Sequence, residues 1–199
     1  MRITRKTLVT APAIEPLALA DVKNFINVSG TDDDTLITSL IKAARQHIET
    51  TYNVALISQT WDFTLGRFPQ YVETVDPQAL IEPVIKPLQS VTSISYYDGA
   101  NSLQTLSAAV YEVVKNDYSW PYIRQAYNQF WPETYDRTDA VTVRVVAGYG
   151  ATAADVPEPI KIALQMFVKY LYDNREDMPI KPYVRAVDLL VKNYLGHDL

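Results

Sequence analysis

The chain has two histidines, His47 and His197, and no cysteine. A thiolate nucleophile, a thiolate metal site and a disulfide framework are thereby excluded. The histidines share no metal-ligand spacing. Neither a His-Glu-x-x-His zinc motif nor the Gly-x-Ser-x-Gly elbow of a serine hydrolase occurs. His47 sits at the margin of an apolar helical stripe, where packing explains it, and His197 lies two residues from the end. The run Asp32-Asp33-Asp34 has the composition of a cation site. It also stands where a helix should begin, and negative charge there complements the positive end of the helix dipole. Gly148-Tyr149-Gly150 follows a strand-like pattern but lacks the third glycine of a dinucleotide fingerprint, so it reads as a strand-ending turn. Glu158, Asp173, Arg175 and Glu176 flank one helical stretch. Paired carboxylates can act as acid and base, yet charges on a helix surface are commonly just solvated. No catalytic, cofactor-binding or metal-binding residue is nominated.

The stretch from 118 to 135 holds Tyr118, Trp120, Tyr122, Tyr127, Phe130, Trp131 and Tyr135 without a clean period. Tyr and Trp combine large contact area with a polar tip and are enriched at protein interfaces. They could equally pack on the chain's own strands. Base stacking with single-stranded nucleic acid would need interleaved cations, and only Arg124 and Arg137 are close. The candidate protein-interface residues are Trp120, Tyr122, Tyr127, Phe130 and Trp131, with Tyr183, Arg185 and Tyr194 near the C-terminus.

The elements that must position these residues are legible from periodicity. Residues 1–16 look extended, with Pro12 and Pro16 opposing helix. Leu19, Val22, Phe25 and Ile26 predict a short helix over about 17–28, ended by Ser29-Gly30. Thr31 is a suitable N-cap for a second helix over about 32–52. Its apolar stripe is Leu36, Ile37, Leu40, Ile41, Ala44, Ile48 and Tyr52, with Lys42, Arg45, Gln46 and Glu49 on the other side. The period then changes. Trp61, Phe63 and Leu65 alternate with polar residues, as do Val141, Val143 and Val145. Residues 91–97 lead to an Asp98-Gly99 turn and a return strand at 103–106. Residues 80–85 could form an edge strand because of Pro83, and 111–114 a further one. Helix resumes after Pro157 and Pro159 and ends near Asn174. A last helix over about 183–195 follows the Pro-containing linker. The fold class is α+β. A helical bundle forms from an N-terminal helix pair (17–53) and a C-terminal pair (157–195), with a small antiparallel β region inserted at about 56–150. The whole reads as one domain, 1–199.

Length and composition agree with this. The chain has 199 residues, is 48% hydrophobic and 21% charged, and carries a formal net charge of -5. That suits a folded core rather than a disordered chain. An acidic chain without clustered Lys and Arg does not attract DNA phosphates by its overall field. No apolar run approaches the length of a membrane helix, and the start is too short for a signal-peptide core. The expectation is a cytoplasmically made, non-enzymatic protein without cofactor, metal or membrane contact.

Several segments taken in order carry a resemblance. Leu19-Ala20-Asp21-Val22-Lys23 precedes Asp32-Asp33-Asp34 and Leu36-Ile37. Ala43-Ala44-Arg45, Ile48-Glu49 and Leu56-Ile57-Ser58-Gln59-Thr60-Trp61 follow. Then come Pro87-Leu88-Gln89-Ser90-Val91, Tyr97-Asp98-Gly99, Trp131-Pro132 and Ala147-Gly148-Tyr149-Gly150. Val156-Pro157-Glu158-Pro159-Ile160-Lys161 and Leu171-Tyr172-Asp173-Asn174-Arg175-Glu176 complete the series. This order resembles the head–tail connector (adaptor, or head-completion) proteins of long-tailed bacteriophages and related gene transfer agents, over about residues 17–176.

The resemblance implies a structural virion protein at the head–tail interface. It would be a subunit of a ring, typically a dodecamer, docked under the portal protein. Such a ring extends the DNA channel and offers a platform for a stopper or tail-completion protein. DNA would pass without sequence-specific binding, and the acidic balance suits a lumen that repels it. The C-terminal segment, 181–199, is expected to dock on the portal. Two other readings stay open: a tail-completion or stopper protein of the same particle, and an enzyme of unrecognised type.

Overall fold

The computed structural model describes residues 3–70, 79–115, 120–174 and Leu190. The chain divides into two compact units, Met1–Ala11 with Gln59–Gly148, and Pro12–Ser58 with Tyr149–Leu199. The described residues are α+β, with three α-helices and a five-stranded antiparallel sheet.

The second unit is helical. It contains α1 (Leu19–Ile26), α2 (Asp34–Tyr52) and α3 (Glu158–Asp173). Apolar residues three and four apart put one stripe of each helix inward. Val22 and Ile26, Ile37, Ile41, Ala44 and Ile48, and Ile160, Ala163, Leu164 and Val168 form one buried cluster. Leu190 packs against it half-buried. The rest of the expected fourth helix, 183–195, lies outside the described residues.

Both N-terminal helices end on asparagine. Asn27 and Asn53 take left-handed φ of 57° and 51°. A short side chain that bonds locally makes asparagine the common non-glycine residue there. The stop of α1 is thus Asn27, ahead of the expected Ser29-Gly30. α2 starts at Asp34, later than expected, because Asp34 N–H bonds back to Thr31 O at 3.2 Å in a preceding turn. The acid run has tertiary partners: Lys23 pairs with Asp34, and the Tyr172 hydroxyl donates to Asp33.

Arg45, expected on the solvated side of α2, is 5% exposed. Its Nε donates to Glu15 at 2.7 Å and its Nη1 to Glu49 at 2.6 Å. Burial works against the cation, but the hydrogen bonds and charges of Glu15 and Glu49 together raise its pKa above the ordinary arginine value. Glu49 also accepts the Leu56 N–H at 2.9 Å. The arginine is buried because two carboxylates from different segments satisfy it.

The first unit is built on a sheet. β1 (Ile3–Thr10), β2 (Gln59–Leu65), β3 (Leu88–Tyr97) and β4 (Leu103–Thr105) are followed by a hairpin pair, β5 (Tyr111–Val114) and β6 (Tyr122–Gln125), and by β7 (Val141–Ala147). The main sheet runs β1-β2-β7-β3-β4, and β5-β6 stands as a separate ribbon. Register places Phe63 and Ile94 on either side of Val143, and Trp61 and Val91 on either side of Val145. This face is apolar, as the period-two pattern requires. On the other face Arg144 makes a bidentate ion pair with Asp62, both contacts at 2.8 Å. Buried Phe68, Ile81, Ile85 and Ile123 supply more of the unit's apolar core.

The extended N-terminus is realised as β1, which pairs with β2 at the edge of the sheet. Two expectations change. Residues 80–85 form no strand; they contribute one bridge, Ile81 to Ile123, because Pro83 has no N–H to offer a ladder. β6 arises inside the aromatic stretch, where the register Val113 to Ile123 buries the isoleucine.

Candidate protein-interaction surface

The aromatic stretch is divided by its surroundings. Trp120 lies under the Lys86 ammonium, 4.3 Å from ring centroid to nitrogen. Tyr122 stands in β6 opposite Val114 and is half-buried. Trp131 stacks on Phe68 with centroids 5.0 Å apart and planes 2° from parallel. Its indole N–H donates to Ala79 O at 3.2 Å. Phe68 meets Tyr96 edge-on at 5.5 Å. Trp131 is thus tied into the sheet unit by stacking and by its polar tip, and Trp120 by its cation contact.

Tyr127 and Phe130 differ. They are 88% and 82% exposed, the two most exposed large apolar side chains among the described residues. The turn carrying them is ordered by its backbone. Ala126 N–H bonds to Val110 O at 2.9 Å and Gln129 N–H to Ala126 O at 3.0 Å, with Asn128 at φ 56°. Of the C-terminal candidates, Tyr183, Arg185 and Tyr194 lie outside the described residues, as do Tyr118 and His197.

The sheet unit also has a cleft of about 470 Å³. Its walls include Arg67, Phe68, Trp131, Glu133, Tyr135 and Asp136. Sequence reasoning missed Arg67, Glu133 and Asp136; Trp131-Pro132 and Tyr135 had drawn notice, but no periodicity joins residue 67 to residue 133. Next to it Arg137 covers the Tyr97 ring at 3.7 Å and is held by Asp139 at 2.6 Å. The hydrogen bond from Arg137 keeps the Asp139 carboxyl below its ordinary range.

The other chemical candidates are committed elsewhere. Gly148 N–H bonds to Pro87 O at 2.9 Å and Tyr149 N–H to Leu56 O at 3.3 Å, so these amides are not free to cradle a phosphate. Burial pushes the Tyr149 hydroxyl up to about 12, away from a proton-transfer range near neutrality. Glu158 pairs with Lys161 and Asp173 with Lys169 along α3, while Arg175 and Glu176 lie outside the described residues. His47 packs on Phe167 with ring centroids 4.9 Å apart. Among the described residues no group of three His, Cys, Asp or Glu could hold a metal ion, and no helix is long and apolar enough to cross a membrane.

The described residues thus form an α+β scaffold with several internal ion pairs and with its two most exposed aromatics held on an ordered turn. Residues 17–122, just over half of the chain, match the family described as phage gp6-like head-tail connector protein. The chain belongs to that family. No curated protein matches it in sequence. Among solved structures, it is similar to a chain in the neck of an empty gene transfer agent (GTA) particle computed with C6 symmetry. That TM-score is 0.80 at 20% identity, with 98% of this chain and 97% of the other covered. It is also similar to chains in the neck of a native GTA particle computed with C12 symmetry and in the virion of a native GTA particle. Both have TM-score 0.77 and 21% identity over 98% of this chain and 97% of theirs. These likenesses concern the fold.

Proposed function

We propose that this connector acts as one subunit of a ring at the head–tail interface of a phage or phage-like particle. The ring is a dodecamer docked under the portal protein, lengthens the DNA channel and receives a stopper or tail-completion protein. DNA passes through without sequence-specific binding. The role is mechanical and needs no catalytic group or cofactor. The observation that carries this reading is the family match over residues 17–122, and the fold likeness to neck chains supports it. A ring requires heterologous contacts that close by rotation. The chain works as a single connector domain in which the segment 181–199, with its helix 183–195, completes the C-terminal helix pair and docks on the portal. Trp120, Tyr122, Tyr127, Phe130, Trp131, Tyr183, Arg185 and Tyr194 are the proposed interface residues.

The test is the mass of the purified protein alone and with its cognate portal, by analytical ultracentrifugation. The expected result is a discrete heavier complex with one copy per portal subunit. Binding to a tail component with no binding to the portal would place the chain lower in the neck, as a tail-completion or stopper protein. Removal of 181–199 is expected to abolish portal binding; undiminished binding would end the docking assignment.

A further inference from the structure

β1 begins at the mouth of the 66–70/131–136 cleft. Its first residue, Ile3, pairs with Leu65, and the residue after Leu65, Gly66, is already part of the cleft wall. The Thr4 hydroxyl lies 2.9 Å from Thr64 O and 3.1 Å from Thr138 O. The start of β1 therefore bridges the end of β2 and the segment that follows the cleft's other wall at Asp136. Those two segments meet there, since a Cβ on Gly66 would stand 3.4 Å from Arg137 O. Met1 and Arg2 precede the described residues. In an antiparallel pair one strand recedes as the other advances. The β1–β2 register, continued back from Ile3, leads the chain past Gly66 with Arg2 and past Arg67 with Met1.

Charge agrees with that path. The cleft is lined by two acids, Glu133 and Asp136, against one cation, Arg67. None of the three makes an ion pair among the described residues. A second arginine balances the lining, and a guanidinium matches carboxylate geometry. We infer that the segment Met1–Arg2 of the same chain occupies the cleft, with the Arg2 guanidinium held by Glu133 and Asp136. The occupant is the chain's own because covalent connection through Ile3 delivers it to the cleft at a local concentration that a separate molecule does not reach. The segment acts as a strap. It ties β1, an edge strand of the sheet, to the 131–136 segment, whose Trp131 stacks on Phe68. Glu133 and Asp136 are exposed, so salt screens the contact and loosens the strap. The cleft is closed by the chain itself and opens as ionic strength rises. This inference stands on register and charge and is independent of the connector reading.

The experiment uses the full chain carrying Arg2→Lys, which keeps the cation and supplies an amine that a water-soluble carbodiimide couples to a carboxylate in contact with it. An equal mixture of isotope-labelled and unlabelled protein is treated, digested and mapped by mass spectrometry. The expected product is an amide from position 2 to Glu133 or Asp136, with both peptides carrying the same label. Mixed-label products would give the cleft to the N-terminus of a neighbouring copy and overturn the inference. Absence of the amide, or the same coupling pattern in Glu133→Gln/Asp136→Asn, would overturn it as well. A second readout tests the ionic hold. The chain has no cysteine, so Thr134→Cys places a single uncharged thiol in the cleft lining. Its alkylation by N-ethylmaleimide is expected to quicken about threefold when Arg2→Ser is added, the strength of an exposed ion pair. High salt quickens it in the presence of Arg2 and leaves the Arg2→Ser rate flat. Equal rates with and without Arg2 would overturn the strap. Unchanged thermal melts check the folding of each variant.

Discussion

In the helical unit, Arg45 is 5% exposed and held by two carboxylates, while in the sheet unit Tyr127 and Phe130 are 88% and 82% exposed on a fixed turn. A buried cation and exposed aromatics both run against the ordinary partition of residue types. The first is resolved inside the unit, where Glu15, Arg45, Glu49 and the Leu56 N–H satisfy one another. The second is not resolved among the described residues. A polar group that finds its partners within the fold reports on stability. An apolar group left in water by an ordered backbone contributes little to it. The helical unit thus resolves its exception within its own core, while the sheet unit leaves its exception in water.

The contrast can be broken at the core first. Phe63 is fully buried beside Val143, so Phe63→Ala is expected to cost about 3–5 kcal/mol in chemical denaturation. Arg45→Ala leaves Glu15 and Glu49 facing each other without their cation and is expected to cost about 3 kcal/mol. A loss below about 0.5 kcal/mol would mean the ion pairs are solvated and the arginine is no lock.

Tyr149 gives a pH signature. Its pKa is raised from 10.0 to about 12 by burial, so the folded state keeps the proton that the unfolded chain releases first. Its contribution is complete below pH 10 and is lost as pH rises toward about 12. The wild type should lose about 2 kcal/mol more than Tyr149→Phe across that window, measured by urea titration at each pH. Equal slopes would show that the hydroxyl is hydrated.

The smallest effect sharpens the comparison. Tyr127→Ser with Phe130→Ser is expected to change stability by less than about 0.5 kcal/mol per site, because the rings touch mainly water. A larger loss would make them packing residues after all.

Much of the helical framework was legible because its physics is local. The stripe from Ile37 to Ile48 and the alternation in β2 and β7 are periodic, and period follows directly from backbone geometry. The three acids at 32–34 were read as a helix start, and α2 does begin at Asp34. The exposed pair could be named, since Tyr127 and Phe130 are conspicuous by type. The cleft could not, because Arg67 and Phe68 reach Glu133 and Asp136 only through the pairing of strands far apart in the chain.

By itself, then, the order of residues determined the α+β class, the apolar faces, the lack of thiol chemistry and the connector resemblance, all properties of composition and short-range pattern. Tertiary structure alone decided which aromatics turn outward, that Arg45 turns inward, and that the N-terminus is a sheet edge. These outcomes depend on which distant segments meet. Burial, ion pairing and exposure are properties of that meeting, and no local period encodes them.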